Sequence, residues 1–266
     1  MQSTARLVTL KNKLIVISAG ASGIGWAAAK LLQSRGAKIF LCDIDKQSIE
    51  KISKNKKYKN KIFAFNCNVN KEKEVVYFFN QIKKFSKKID CLINNVGIAG
   101  PTGVIEKLDS KDWEQTLRTN VIGHFLFTKY AIPMLKKNKG GSIINISSTA
   151  GIFGFPLRSP YASSKWSTIG FTKTAAMELG AYNIRVNAIL PGVMRGKRMN
   201  EVVKAKAKYL GVSEKKIEKE FLSTSSMNCW IEEEDIGKLC SFLISEDGNK
   251  ISGQAIAVDG NGLRLD

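Results

Sequence analysis

The residues that most directly indicate chemistry are a serine, a tyrosine and a lysine in the middle of the chain. Tyr161 and Lys165 are four residues apart, so on a helix their side chains lie on one face, one turn apart. A phenol with a reference pKa of about 10 is a poor base at neutral pH, and a fixed ammonium beside it stabilises the phenolate. Ser148 stands 13 residues before Tyr161, at the end of a predicted strand, where its hydroxyl can hold a substrate oxygen. The three residues together predict proton transfer to or from an alcohol or carbonyl oxygen.

A glycine-rich loop near the N-terminus predicts a dinucleotide site. Residues 18–25 read SAGASGIG, directly after a buried strand and directly before an Ala-rich helix. Glycines there let the backbone approach a pyrophosphate, and the N–H groups at the positive end of the helix receive its charge. Asp43 closes the second predicted strand, 18 residues past Gly25. Its carboxylate can accept both hydroxyls of an adenosine ribose and would repel a 2′-phosphate, so the sequence predicts NAD rather than NADP.

The elements that must position these residues are strands that alternate with helices along the chain. This alternation is typical of a parallel sheet covered by helices on both faces. Seven strands are predicted, at residues 13–18, 37–42, 61–66, 89–94, 142–147, 184–189 and 255–258. Six helices are predicted between them, at residues 23–34, 46–53, 71–85, 109–135, 161–179 and 233–244. No repeat, linker or composition break divides the chain. We therefore predict an α/β, Rossmann-type doubly wound fold, with residues 1–266 as one dinucleotide-binding and catalytic domain.

One charged segment, residues 193–227, interrupts this rhythm with two short helix patterns at 200–209 and 213–222. An insertion of that size above a sheet is expected to be a lid over the substrate. Arg195 and Arg198 lie at its start, although only 8 of the 42 basic residues are Arg. A guanidinium can grip a carboxylate or sulfonate in a bidentate way. We interpret these two residues as contacts to a small polar or anionic substrate, with ordinary surface charge as the alternative.

Taken together, these motifs resemble the short-chain dehydrogenase/reductase family in its single-domain form of about this length. The loop is similar to that family's T-G-x-x-x-G-x-G, with Ser18 and Ala19 at its first two positions. The chain departs from the family at Val193, where the family commonly has a Thr. Further resemblances are spaced along nearly the whole chain: Asn68-Val69 in place of Asp-Val, Asn94-Asn95-Val96-Gly97 after the fourth strand, Asn120 on the next helix and Pro191-Gly192 after the sixth strand.

The resemblance also implies a role for each residue. Tyr161 would accept the proton in alcohol oxidation and donate it in carbonyl reduction, while Ser148 orients the oxygen. Lys165 would stabilise the phenolate and bind the nicotinamide ribose, and Asn120 would hold a water that links Lys165 to solvent. His124, the single histidine, is expected to be a packed residue rather than a catalyst. The expected cofactor contacts are Ser18, Gly20, Ser22, Gly23, Ile24, Gly25, Asp43, Ile44, Asn68, Val69, Asn95, Val96, Gly97, Tyr161, Lys165, Pro191, Gly192 and Val193.

These residues predict an NAD-dependent oxidoreductase that passes a hydride between nicotinamide and a secondary alcohol or its ketone. The resemblance implies a homodimer or homotetramer. One alternative is an NADPH-dependent 3-oxoacyl-[acyl-carrier-protein] reductase, whose acidic carrier would suit a basic surface but whose cofactor Asp43 disfavours. A second alternative is a non-catalytic dinucleotide-binding or nucleic-acid-binding protein on the same fold. The intact Ser148, Tyr161 and Lys165 argue against that second alternative.

The charge of the chain, 42 Lys and Arg against 23 Asp and Glu, gives a formal net charge of +19. Such a balance invites a nucleic-acid interpretation. However, 34 of the basic residues are Lys, whereas base recognition favours Arg and stacking aromatic residues. No helix-turn-helix, aromatic RNA-binding motif or Cys/His finger is recognisable. We therefore expect a solvated Lys-rich surface and no nucleic-acid partner.

Cysteine usage and hydropathy favour an ordinary cytoplasmic chain. The five Cys are scattered without a C-x-x-C pair, which favours reduced thiols over a disulfide framework or a metal site. No apolar run approaches the roughly 18 residues of a membrane span. Residues 1–9 lack an apolar core of signal-peptide length. We expect no metal, no membrane association and a cytoplasmic location.

Overall fold

The computed structural model describes residues 8–262, apart from the side chains of Lys197 and Arg198. Within this range the strands form one parallel sheet in the order β3-β2-β1-β4-β5-β6-β7. The predicted strands and the doubly wound fold are confirmed, with strand ends displaced by at most two residues. The strands are β1 Leu14–Ser18, β2 Lys38–Asp43, β3 Ile62–Asn66, β4 Cys91–Asn94, β5 Gly141–Ile146, β6 Ile184–Pro191 and β7 Ala255–Val258.

Helices cover both faces of this sheet because successive side chains of each strand point to opposite faces. On β1, Ile15 and Ile17 are fully buried in one core, while Val16 is fully buried in the core on the other face. The helices are α1 Gly23–Ser34, α2 Lys46–Lys54, α3 Glu72–Phe85, α4 Ser110–Leu117, α5 Gly123–Lys137, α6 Ser159–Leu179, α7 Lys197–Leu210, α8 Glu214–Ser223 and α9 Glu233–Ile244.

The single helix predicted over residues 109–135 is wrong in its middle. A π-helical turn, Arg118–Ile122, separates α4 from α5. The wide turn turns the buried Asn120 towards Ile98, whose N–H it accepts at 2.8 Å and whose carbonyl it donates to at 3.0 Å. These two hydrogen bonds offset the poorer backbone geometry of the turn. Single π turns of this kind are frequent at functional sites.

The segment predicted as a lid forms α7 and α8 above the sheet, close to the two helix patterns of the sequence. Val203, Ile217 and Phe221 form the centre of a small apolar cluster that is separate from the two cores of the sheet. An ion pair of 2.8 Å between Lys206 and Glu220 also joins the two helices. The helices α7 and α8 are therefore stabilised mainly by contacts with each other rather than with the sheet.

The strand order reverses beside β1, whose neighbours are β2 on one side and β4 on the other. In an open parallel sheet such a reversal opens a crevice at the carboxyl ends of the strands, which is where ligands bind. The fold thus places the glycine-rich loop, Asp43 and Ser148 along one edge of the sheet. Among the described residues, no helix has both the length and the apolar character to cross a membrane. In the same range, no cluster of three or more His, Cys, Asp or Glu could hold a metal ion.

Candidate active site

A cavity of about 1130 Å³ occupies this crevice and extends from the glycine-rich loop to α7 and α8. Most of the residues predicted from sequence lie on its wall, so the fold brings cofactor and catalytic candidates into one space. The predicted residues on the wall are Ser22, Gly23, Ile24, Asp43, Ile44, Asn68, Val69, Asn95, Val96, Gly97, Ser148, Tyr161, Lys165, Pro191, Gly192, Val193 and Arg195.

The glycine-rich loop is packed too tightly for side chains at its key positions. A Cβ at Gly25 would lie 2.5 Å from both the Ala19 carbonyl oxygen and the Asn95 Nδ2. A Cβ at Gly20 would lie 2.7 Å from the Leu41 Cβ. Ala19 itself adopts a φ of +50°, the left-handed conformation that the family's glycine would adopt there without strain. The loop therefore has the geometry of a pyrophosphate cradle despite the alanine.

Asp43 connects this loop to the second strand. Its side chain is 9% exposed, and Oδ2 accepts the Ala21 N–H at 3.1 Å while Oδ1 accepts the Asp45 N–H at 3.1 Å. A carboxylate has about four acceptor sites, so two remain for the hydroxyl groups of a ribose. The residue is thus held in a fixed orientation at the cavity wall.

Four of the predicted site residues lie behind the cavity wall: Ser18, Gly20, Gly25 and Asn120. Ser18 is completely buried, and its Oγ accepts the N–H groups of Asn95 and Val96 at 3.0 and 3.2 Å. This hydrogen bonding joins the end of β1 to the turn after β4. These four residues shape the wall rather than line it.

The two adjacent serines at the end of β5 have different surroundings. The Ser147 hydroxyl donates to the Lys165 carbonyl oxygen at 2.9 Å and is 3% exposed. Ser148 precedes a short 3-10 helix, where its Oγ accepts the Ala150 N–H at 3.2 Å, and it is half-buried at the cavity. Ser147 thus anchors α6 to the sheet, which leaves Ser148 as the serine placed for a ligand.

Tyr161 and Lys165 extend from the first turns of α6 into the same part of the cavity. The Lys165 Nζ is 5.6 Å from the Tyr161 ring centroid, is buried and donates to the Ile146 carbonyl oxygen at 3.0 Å. Asn120 donates to the Ser164 Oγ at 2.9 Å and so contacts the same helix from behind. The Lys165 ammonium and the Tyr161 ring therefore lie close together in one part of the cavity.

His124 is buried one turn after Asn120, and its pKa is lowered to about 3 by burial and by the nearby charge of Lys165. Its Nε2 lies 2.9 Å from the Val96 carbonyl oxygen, so the neutral ring carries its proton on Nε2 and donates to that carbonyl. The histidine holds the turn after β4 in place, as expected of a packed residue.

The part of the cavity around Tyr161 contains a cation that the sequence reasoning did not identify. Arg158 is 4% exposed, its guanidinium carbon is 5.2 Å from the Tyr161 ring centroid, and its Nη2 donates to the Ala99 carbonyl oxygen at 2.6 Å. Arg195 lies at the cavity mouth with a side chain that is 68% exposed and 3.9 Å from Glu232. The side chain of Arg198 lies outside the described residues.

Similarity to known proteins agrees with this geometry. A family model described as enoyl-(acyl carrier protein) reductase matches residues 18–262. The chain is 31% identical to a 3-oxoacyl-[acyl-carrier-protein] reductase of Thermotoga maritima, covering 94% of this chain and 98% of that one. It is 32% identical to a trans-4-hydroxycyclohexanecarboxylate dehydrogenase of Sinomonas cyclohexanicum, covering 96% of each. An NAD⁺-bound xylitol dehydrogenase structure superposes with a TM-score of 0.89 at 28% identity, covering 94% of this chain and 98% of that one. The chain belongs to the short-chain dehydrogenase/reductase family and is an oxidoreductase that acts on a CH–OH group with NAD(P).

Proposed function

We propose that this protein is an NAD-dependent dehydrogenase/reductase of small polar secondary alcohols and their ketones. The observation that carries the proposal is the position of Asp43, which lines the same cavity as Ser148, Tyr161 and Lys165. One end of the cavity thus presents a carboxylate to a ribose, and the other presents a phenol to an alcohol oxygen. The two relatives described above are both named for substrates with a hydroxyl or keto carbon.

The residues present fit a dinucleotide. The glycine-rich loop, which packs too closely at Gly25 for a Cβ, would receive the pyrophosphate at Ser22, Gly23 and Ile24, and Asp43 would accept the adenosine ribose hydroxyls. Lys165 would hold the second ribose through its ammonium group, and the backbone at Val193 would border the nicotinamide. When bound, the nicotinamide supplies or takes up the hydride of the reaction. The chain contributes position and proton transfer.

Proton transfer is assigned to Tyr161. In alcohol oxidation its phenolate oxygen accepts the hydroxyl proton of the substrate, and in ketone reduction the phenol returns a proton to the carbonyl oxygen. The Ser148 hydroxyl holds that oxygen in place. The ammonium of Lys165, 5.6 Å from the phenol ring, stabilises the phenolate by its charge. Asn120 positions this pair by fixing Ile98 and Ser164.

Residues 193–227 are proposed to close over the substrate as a lid within a single domain of 1–266. The segment is joined to the rest of the chain at both ends. The Val193 carbonyl oxygen accepts the Ile231 N–H at 3.0 Å, and the Ser225 hydroxyl donates to the Gly260 carbonyl oxygen at 2.8 Å. Arg195 and Arg198, at its start, remain proposed substrate contacts. Closure would exclude water from the reacting atoms.

Exposed apolar side chains support the proposal of a homodimer or homotetramer. Ile122, at the end of the π turn, and Phe125, in the first turn of α5, are 41% and 45% exposed, and Trp166 and Met177 on α6 are 52% and 86% exposed. We propose that these side chains are covered by a second copy of the chain, because large exposed apolar side chains gain from burial at an interface. A mass corresponding to a monomer in light scattering at micromolar concentration would contradict this proposal.

Cofactor preference tests the proposed function most sharply against the alternative of an NADPH-dependent 3-oxoacyl-[acyl-carrier-protein] reductase. A panel of secondary alcohols with NAD⁺ or NADP⁺ is followed by absorbance of the reduced cofactor. We expect NAD⁺ to be favoured at least about tenfold in kcat/KM, because a carboxylate beside the 2′-phosphate is repulsive. Asp43→Asn should narrow the preference. Asp45→Asn is the matched control, since that carboxylate caps α2 outside the cavity. Equal or better use of NADP⁺ by the unmodified protein would contradict the proposal.

A further inference from the structure

We propose that Glu233 places a negative charge beside the pyrophosphate of the dinucleotide and thereby lowers the affinity of the protein for its cofactor. Glu233 is the first residue of α9 and lines the cavity. Its Oε1 is 3.6 Å from the position that a Cβ at Gly23 would take and 3.8 Å from the corresponding position at Gly196. One carboxylate oxygen therefore lies close to both the glycine-rich loop and the start of the lid segment.

Close packing of α9 against α1 places the carboxylate at this point. Gly237 lies one turn into α9, and a Cβ there would be 3.2 Å from the Leu31 Cδ2 and 3.4 Å from the Ala28 Cα. Gly23 and Glu233 are neighbours at the first residues of the two helices, and Ala28 and Gly237 are neighbours farther along them. The helices therefore run in the same direction, and their N-terminal ends, each with a partial positive charge, meet at the glycine-rich loop.

The carboxylate and a pyrophosphate are both attracted to this positive end of α1. The first turn of α1 contains no acidic residue, and Ser22 makes no side-chain cap there. Glu233 is thus the carboxylate that supplies negative charge to this helix end from α9. A pyrophosphate at Ser22, Gly23 and Ile24 would be a like charge beside it, and like charges repel strongly where water is partly excluded. The cofactor must therefore bind against the field of this side chain.

The other acidic residues at the start of α9 have different surroundings. Glu232 is 60% exposed and lies 3.9 Å from Arg195. Asp235 accepts the Glu232 N–H at 3.1 Å as part of the helix cap. Glu234 is exposed. Among these four described residues, Glu233 alone lines the cavity. Glu234 is therefore a matched control, since it has the same charge and the same helix turn.

Cofactor binding at two salt concentrations tests the proposal. NAD⁺ is titrated calorimetrically into the unmodified protein and into Glu233→Gln and Glu234→Gln, at about 20 mM and about 500 mM NaCl. At low salt we expect Glu233→Gln to bind NAD⁺ at least about fivefold more tightly, because the repulsion is removed. At high salt the gain should shrink, since ions screen the repulsion. Glu234→Gln should leave the affinity unchanged at both concentrations.

Glu233→Asp separates the charge from the shape of the side chain. It keeps the carboxylate and should therefore stay within about twofold of the unmodified affinity. Four results would overturn the proposal: unchanged or weaker binding in Glu233→Gln, the same gain in Glu234→Gln, the same gain in Glu233→Asp, or a gain that salt does not reduce. Each of these would assign Glu233 a role in the fold or none, rather than an electrostatic effect on the cofactor.

The proposal does not depend on the choice between NAD and NADP, because both contain the pyrophosphate and the family uses NAD(P). If the unmodified protein prefers NADP⁺, the proposed NAD preference is wrong, and the same titrations with NADP⁺ still test Glu233. A protein that binds neither cofactor would overturn both proposals.

Discussion

The two ends of the cavity are built in different ways. The end at the glycine-rich loop is called the cofactor end here, and the end beside α7 and α8 is called the substrate end. At the cofactor end, the glycine-rich loop is held by backbone hydrogen bonds, such as the 2.9 Å bond from the Gly20 N–H to the Cys42 carbonyl oxygen, above two large cores. At the substrate end, α7 and α8 pack on a small cluster of their own, and the buried Arg158 lies beside Tyr161. The first end is thus built mainly from backbone contacts above the main cores, whereas the second is built from side chains of a separate, smaller cluster.

The largest difference is expected between the stability losses caused by removing a buried ring from the main core and from the α7–α8 cluster. Phe127 is fully buried under the sheet, with ring centroids 5.7 and 5.6 Å from Phe78 and Phe79. Phe127→Ala should lower the free energy of unfolding by about 3–5 kcal/mol. Phe221→Ala should lower it by less than about 1 kcal/mol, because α7 and α8 can open before the sheet unfolds.

Urea unfolding of both variants measures this difference, and amide hydrogen exchange locates it. Exchange should accelerate in α7 and α8 of the Phe221→Ala protein while the sheet stays protected. Equal losses of stability in the two variants would mean that the lid is an integral part of the main core.

Replacing one glycine at each end of the cavity, Gly25 or Gly211, should affect NAD⁺ affinity differently. Gly25→Ala places a Cβ 2.5 Å from the Ala19 carbonyl oxygen and should weaken NAD⁺ binding at least about tenfold, since the cradle must shift. Gly211, at the end of α7, has a φ of +66° and nothing within 4 Å of an added Cβ. Gly211→Ala should therefore cost about 1 kcal/mol of stability and leave NAD⁺ affinity unchanged. Calorimetric titration of NAD⁺ into both variants decides, and a normal affinity in Gly25→Ala would contradict the loop assignment.

The free energy of unfolding should depend on pH through His124, which contacts the turn after β4. The pKa of His124 is about 3 in the folded protein against 6.5 for an unperturbed histidine, so between these values only the unfolded chain binds the proton. The free energy of unfolding consequently falls as the pH is lowered from 6.5, by up to about 1.4 kcal/mol per pH unit. His124→Gln, which keeps a donor for the Val96 carbonyl, should remove that contribution. Urea unfolding at pH 7, 6 and 5 compares the slopes, and identical slopes in both proteins would refute this assignment.

The sequence predicted the sheet and the position of the glycine-rich loop well, because both depend on patterns with a direct physical cause. Buried strands of a parallel sheet are continuous apolar runs, so their positions were predicted to within two residues. The glycine spacing around Gly23 and Gly25 reflects contacts that forbid a Cβ or require a positive φ. Even Ala19, a departure from the pattern, takes the conformation that the pattern requires.

The sequence did not predict the features that depend on how distant segments meet. The π turn at Arg118–Ile122 arises from hydrogen bonds between Asn120 and Ile98, 22 residues apart, and no local propensity signals it. Arg158 was missed because its burial depends on Ala99 in another loop. Arg is rare in this chain, and that rarity was the reason for selecting Arg195. The same reason would have selected Arg158.

The central claim is that Tyr161 transfers the proton in a cavity whose other end binds NAD, and Tyr161→Phe tests it directly. Turnover is measured as NADH formation with the alcohol that the unmodified protein oxidises fastest, and NAD⁺ affinity by calorimetry. Tyr182→Phe, which alters an exposed tyrosine outside the cavity, is the matched control. We predict that Tyr161→Phe lowers turnover by at least about 100-fold with NAD⁺ affinity unchanged, while Tyr182→Phe changes neither. Near-normal turnover in the Tyr161→Phe protein would contradict the account.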